Sequence, residues 1–282
     1  LIIELGKKIV SETGKRVAII TNDQGENLVD THIVKDYGFA VTEVVGGCFC
    51  CKFLDLITHI HDMIREVRPD IILIEPVGSC TDFLATVYGP MRQHYSGEFS
   101  LAPFTTLVDA STFLSQEEKH ALSNPEKSTA LGDLLRWQIE EADMIAINKV
   151  DLVSEEDLHK IKDLLRGLNK EAEIMEISAK TGYNLDRLLR ILMEKSHKPR
   201  PTITERINYD TYASAEAELG WFNSIYRIYS DQPLVIDKLM IDLLKEINRR
   251  VEKSKGTIIH MKTRFSTRKG FVKASLVISD DS

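Results

Sequence analysis

Leu1, Ile2, Leu5 and Ile9 recur with the spacing of one helical face, and Gly14 stands where such a helix stops, so the chain opens on an amphipathic helix. The period then changes. "RVAIITND", "PDIILIEPVG", "FTTLVDA" and "DMIAINKVD" are short apolar runs that end in polar residues, the mark of strands buried on both faces. Helical patterns separate them: "CKFLDLITHIHDMIREVR", "TALGDLLRWQIEEA" and "SEEDLHKIKDLLRGLN". "AEIMEISAKTG" adds a strand and loop, and "NLDRLLRILMEKS" a further helix. This alternation predicts an α/β fold, a mostly parallel sheet with helices on both faces.

"HKPRPTITER" interrupts the pattern with two prolines, which places a domain boundary there and divides the chain into 1–198 and 199–282. Beyond it "GWFNSIYRIYS" alternates like a strand, with Trp221 and Phe222 expected to pack at its entry, a partner-docking patch being the alternative. "PLVIDKLMIDLLKEINRRVEKSK" is a long amphipathic helix, and "GTIIHMKTRF" and "GFVKASLVIS" read as two more strands. The second unit is a smaller α+β domain.

Composition narrows the partners. A chain of 282 residues, 43% hydrophobic and 28% charged, can bury a large core. Its formal net charge of -7 argues against nucleic acid and against an anionic membrane surface, leaving small molecules and proteins. The longest apolar runs fall far short of the ~20 residues a membrane span needs. Three of the four cysteines are crowded into four positions, unlike a secreted disulfide framework, so a reducing, cytoplasmic compartment is expected.

Loops at the carboxyl ends of parallel strands emerge on one sheet edge, where ligands bind in such folds. That edge should collect Asn22, Asp23, Glu75, Gly78, Asn148, Lys149, Asp151, Ser178, Ala179 and Lys180. In "NKVD", the Asp151 carboxylate can accept two hydrogen bonds from adjacent N–H donors, a pair that guanine offers and adenine does not. Asn148 would tie the loop together and the Lys149 stem would lie along the base. The same four residues also suit a capped strand-to-helix turn. Glu75 is placed to orient a metal-bound or attacking water, and Gly78 to bring a backbone N–H to a terminal phosphate. "NDQG" at 22–25 is the candidate first switch, with Asp23 holding Mg²⁺ through water. A solvated strand end is the plainer account of Asp23 and Glu75.

Taken in order, NDQG, GGCFCC, IEPVG, NKVD and SAKTG resemble the metal-handling GTPases of the SIMIBI class, the CobW, HypB and UreG relatives, and CobW most of all. The likeness covers about the first two-thirds of the chain. It implies a P-loop GTPase-type domain over 1–198, GTP with Mg²⁺, and a SAK loop (Ser178, Ala179, Lys180) whose backbone N–H groups meet the guanine carbonyl oxygen. In that family a strand and a GxxxxGK[ST] loop precede the first helix, a place that falls just before Leu1. "LIIELGKKI" does not supply the loop, so the chain reads as a GTPase domain lacking its first strand and phosphate loop.

Cys48, Cys50 and Cys51 can offer three thiolates to one ion where the chain bends at Gly46–Gly47, leaving a fourth position open; inert buried cysteines are the plainer reading, and a Cys48–Cys51 redox pair, with Cys50 competing in exchange, is a further one. Soft thiolates favour zinc or another late transition metal over magnesium. The resemblance implies the same use, a metal carried at this motif and moved in step with GTP hydrolysis. Cys80 is a further ligand candidate, whereas His59 and His61 point to different helix faces. The expected function is a GTP-hydrolysing metallochaperone or metal-insertion protein serving a client metalloenzyme or cofactor-assembly protein. Two alternatives stay open: a GTPase regulator of a corrinoid-type enzyme with a structural zinc, and a non-hydrolysing nucleotide-binding module. Related GTPases pair across the nucleotide face, so a homodimer is also considered.

Overall fold

The computed structural model describes residues 1–23, 29–194, 208–220, 222–267 and 270–277, with Asp23 and Val277 described in backbone only. The expected boundary near 198–199, Gln24 and Gly25 of the candidate switch, and Trp221 lie outside the described residues.

The predicted helix is α1 (Ile2–Thr13), ended by Gly14 at φ 66°, where a side chain would be strained. β1 (Val17–Asp23), α2 (Val29–Asp36), β2 (Ala40–Val45), α3 (Phe53–Glu66) and β3 (Ile71–Glu75) follow. After β3 a π-turn over Leu84–Tyr88 runs into α4 (Gly89–Tyr95). β4 (Thr105–Asp109), α5 (Ala110–His120), α6 (Ala130–Glu141), β5 (Met144–Asn148), α7 (Glu155–Leu168), β6 (Glu173–Glu176) and α8 (Leu185–Met193) complete the alternation. Local chemistry fixes several ends: Thr129 caps Gly132 N–H at 3.1 Å and Ser154 caps Asp157 N–H at 3.1 Å.

Every pairing in this region is parallel, as expected, but the strands form two sheets. The orders are β2-β1-β3 and β4-β5-β6, and β3 does not hydrogen-bond to β4. Each half has its own core. Ile20, Phe49, Leu56 and Val87 fill one, and Val108, Ile145, Ile147, Ile161 and Leu165 the other. Helices α1 and α8 span the break, where Leu5 and Leu188 pack with Met144, Ile177 and Leu73. Burying each of these large aliphatic side chains contributes about 1.5–3 kcal/mol, enough to hold the halves together without a shared ladder.

The C-terminal region holds α9 (Tyr209–Glu218), α10 (Ile236–Lys253) and an antiparallel hairpin, β7 (His260–Thr267) with β8 (Gly270–Val277). The long helix and the two strands stand where the pattern put them. "GWFNSIYRIYS" does not: among the described residues, 222–231 form no strand, and Phe222 is 84% exposed rather than packed. Alternation makes a strand possible, but a strand exists only where an edge accepts its ladder. No helix among the described residues is long and apolar enough to cross a membrane.

Candidate functional site

The parallel strands end on one edge, and the candidate residues lie along it. At the β5–β6 side, Asn148 Oδ1 accepts from Ala179 N–H at 3.0 Å, and Ile177 N–H donates to Ile147 O at 2.8 Å. NKVD and SAKTG are therefore one bonded unit. Ser178 is fully buried and its hydroxyl accepts from Thr181 N–H at 3.1 Å, which holds the loop bent through Gly182. Lys180 and Asp151 stay exposed. Lys149 adopts φ 65° and its ammonium pairs with Asp109 at the end of β4. Sequence reasoning misses Asp109, although a carboxylate closing an apolar run is the same signal that marks Glu75.

A cavity of about 1250 Å³ opens between the two half-sheets. Glu75, Asp109 and Lys149 line it from the strand ends, Asp30 from α2, and His260 and Lys262 from the C-terminal hairpin. Glu75 is surface-exposed at the mouth of this cavity. Desolvation by its walls raises the carboxyl above the usual carboxylate range, Lys262 opposes the shift, and Asp30 adds to it. Over Gly78 the space is open, since a Cβ built there meets nothing within 4 Å.

The thiol turn follows β2. Gly46 at φ 74° and Gly47 at φ 152° make the bend, and Cys51 and Lys52 N–H both donate to Cys48 O, at 3.1 and 3.0 Å. The Sγ atoms of Cys48, Cys50 and Cys51 all lie within 4.8 Å of one another. Cys51 Sγ is 3.5 Å from Cys48 Sγ and 4.0 Å from Cys50 Sγ. The structure joins Cys48 to Cys50 as a disulfide, so only the reduced form offers three thiolates. Cys80 is buried nearby, and burial pushes its thiol up to about 12, with Glu141 adding to the shift and a backbone hydrogen bond from Cys50 opposing it. His59 and His61 find partners elsewhere, Thr42 and Glu98.

Asn22 is hydrogen-bonded on every side within the protein. Its Nδ2 donates to Val44 O at 2.9 Å and Gly47 O at 2.7 Å, and its Oδ1 accepts from Phe49 N–H at 3.1 Å and Val77 N–H at 3.4 Å. Both amide hydrogens and both acceptor positions are used, so the side chain has nothing left for a nucleotide. It is a clamp between the thiol turn and the loop after Glu75. That loop is held from its other side by α6. Gln138 Nε2 donates to Gly78 O and Cys80 O, both at 2.9 Å. Glu141 accepts from Thr81 Oγ1 and from the N–H groups of Asp82, Phe83 and Leu84, between 2.6 and 3.3 Å. Only the backbone of Asp23 is described, at the end of β1 beside Val45.

Parallel strands with bonded NKVD and SAKTG loops and three sulfur atoms converged on one edge define an α/β protein with the layout of a nucleotide-binding fold and a thiol cluster that could hold a metal ion. The model of the CobW/HypB/UreG nucleotide-binding domain matches residues 4–176, and the chain belongs to that family. It is 29% identical over 192 residues to the zinc-regulated GTPase metalloprotein activator 1 of Dictyostelium discoideum, covering 58% of this chain and 40% of that protein. It is 29% identical over 237 residues to the zinc chaperone CobW of Sinorhizobium sp, covering 73% of this chain and 66% of that protein. The chain thus spans from two-fifths to just under two-thirds of these relatives. Among solved structures, HypB from Helicobacter pylori in complex with nickel is 16% identical at a TM-score of 0.46, covering 70% of this chain and 84% of that one.

Proposed function

We propose that the chain is the nucleotide-dependent part of a metallochaperone that binds and hydrolyses GTP and delivers zinc or another late transition metal to a client metalloenzyme or cofactor-assembly protein. The observation that carries this reading is the Asn22 clamp, which bonds the thiol turn directly to the loop between Glu75 and Cys80. A change at one end is thereby felt at the other.

In this reading Asp151 and the N–H groups of Ala179 and Lys180 select guanine, with Asn148 fixing the two loops against each other. Glu75 orients the attacking water, and the open space over Gly78 admits a phosphate oxygen to its backbone. The carboxylates of Asp30, Glu75 and Asp109 along the cavity fit a hydrated Mg²⁺; in this reading Glu75 and Asp23 would hold it, and it would neutralise phosphate charge. The cargo ion is held by Cys48, Cys50 and Cys51 once reduced, and its open fourth position suits hand-over to the client.

Zinc equivalents counted under reducing conditions test the reading. One exchangeable ion, absent from the Cys48→Ser, Cys50→Ser, Cys51→Ser variant and held with different affinity beside GDP and a non-hydrolysable GTP analogue, is expected. A nucleotide-independent ion that resists exchange would instead support a structural zinc with Cys80 as fourth ligand, a reading favoured by the Cys80 thiol lying against the backbone of Cys50.

A further inference from the structure

We propose that Cys51 is the entry point of a thiol–disulfide relay that gates the metal motif: it accepts a low-molecular-weight disulfide, hands the oxidation to Cys48 and Cys50, and so empties the site of its ion. The loss of the ion rests on the metal reading above, whereas the sulfur exchange stands without it.

The three sulfurs are sorted by access. Cys48 is 3% exposed, Cys50 is partly exposed and Cys51 is exposed, so a solute meets Cys51 first. Cys51 Sγ lies 3.5 Å from Cys48 Sγ and 4.0 Å from Cys50 Sγ, close enough for one sulfur to attack the next with little movement of the chain. The turn itself fixes this spacing. Cys51 N–H donates to Cys48 O at 3.1 Å, Asn22 grips Gly47 O at 2.7 Å and Phe49 N–H at 3.1 Å, and the Phe49 ring between the cysteines is fully buried. The disulfide joins the two less exposed sulfurs, Cys48 and Cys50, and leaves Cys51 free. An accessible thiol set against a resolving neighbour is the arrangement of a redox-sensing site. Cys80, the other free cysteine, is buried and out of a solute's reach.

The chemistry closes in three exchanges. The Cys51 thiolate attacks one sulfur of a disulfide RSSR, forming Cys51–S–S–R and releasing RS⁻, which takes a proton from water. Cys48, as thiolate, attacks the Cys51 sulfur, forming the Cys48–Cys51 bond and expelling the second RS⁻. Cys50 then attacks the Cys48 sulfur, which closes Cys48–Cys50 and returns Cys51 as a thiolate. In sum two protein thiols lose two electrons and two protons, and RSSR becomes two RSH. One thiolate of the three remains for the ion, and a zinc site does not survive that loss. Excess RSH drives the same exchanges backwards through Cys51 and reopens the site.

The test uses the full-length polypeptide, reduced, free of metal and exposed to glutathione disulfide, with acid-quenched samples mapped by peptide mass spectrometry. A transient glutathione adduct at Cys51 followed by the Cys48–Cys50 link is expected. Cys51→Ser should form that link at least about 10-fold more slowly, because the oxidant must then find a sheltered sulfur. In the Cys48→Ser, Cys50→Ser variant the adduct should persist at Cys51, since nothing beside it can resolve it. A wild-type rate in Cys51→Ser, a first adduct at Cys50, or a final link other than Cys48–Cys50 would each overturn the relay. Zinc-loaded protein, followed with a chromophoric chelator, should lose its ion in step with the link; an ion retained after the link has formed would overturn the gate. Reduced protein that takes up no zinc at all would end the cargo reading and the gate with it, while the peptide map would still report on the exchange.

Discussion

Asn22 Oδ1 accepts the backbone N–H of Val77 at 3.4 Å, across 55 positions of sequence, and this bond joins the end of β1 to the loop that carries Gly78 and Cys80. The same oxygen accepts from Phe49 inside the thiol turn. One buried amide thus reports the position of each loop to the other. Asn22→Ala leaves several buried backbone groups without partners, at a cost of about 2–4 kcal/mol measured by urea unfolding. The sharper readout is metal affinity: the ratio between the GTP-analogue and GDP states should collapse towards one, and an unchanged ratio would remove Asn22 from the coupling.

In the proposed function Asp151 reads the base. Replacing it with Asn puts an amide N–H against the guanine donors, and guanosine nucleotide affinity should fall by about 100-fold, ~3 kcal/mol. Xanthosine nucleotides, which carry an oxygen in place of the 2-amino group, should gain affinity. Titration calorimetry with both nucleotides separates this outcome from a general loss of folding, which would weaken both.

Glu75 holds its proton to higher pH than a free carboxylate because its walls desolvate it. In the proposed function ionised Glu75 orients water, so hydrolysis should rise with pH through a window displaced above the ordinary carboxyl value of 4.5. For stability the sign is opposite. The fold favours the protonated form, so that contribution is complete below 4.5 and disappears as pH rises through the raised value. Glu75→Gln should therefore abolish hydrolysis and flatten the pH dependence of stability in that window; a steeper pH dependence would refute the assignment.

Glu141 closes off four donors of the 81–84 segment with two carboxylate oxygens. Glu141→Gln turns an amide NH₂ towards backbone N–H groups, and a loss of about 1–3 kcal/mol is expected in chemical denaturation. Amide exchange at Asp82, Phe83 and Leu84 should accelerate more than exchange in β5. Uniform acceleration would mean that the carboxylate supports the whole fold rather than this segment.

Much of the architecture is legible in the chain itself. Leu1, Ile2, Leu5 and Ile9 announce α1, unbroken apolar runs announce β1, β3, β4 and β5, and Gly46–Gly47 announces the bend that gathers the cysteines. The spacing of NKVD and SAKTG places both loops on one edge. Helices α2, α5 and α9 carry weaker periodicity. Only the Asn208 cap, which accepts from Asp210 and Thr211 N–H at 2.9 and 3.3 Å, marks the last of them.

Local pattern determines which segments become helix or strand, because propensity, capping and apolar period act over a few residues. Tertiary structure alone decided that Asn22 clamps two loops together, that Glu141 satisfies a segment some 58 positions away, and that the chain's last hairpin delivers Lys262 to a cavity beside Glu75. It also withheld the strand that "GWFNSIYRIYS" suggests. Polar side chains and strand edges are satisfied by whichever partner the packed core brings within 3 Å or so, and that partner is chosen by three-dimensional proximity, which sequence separation does not encode.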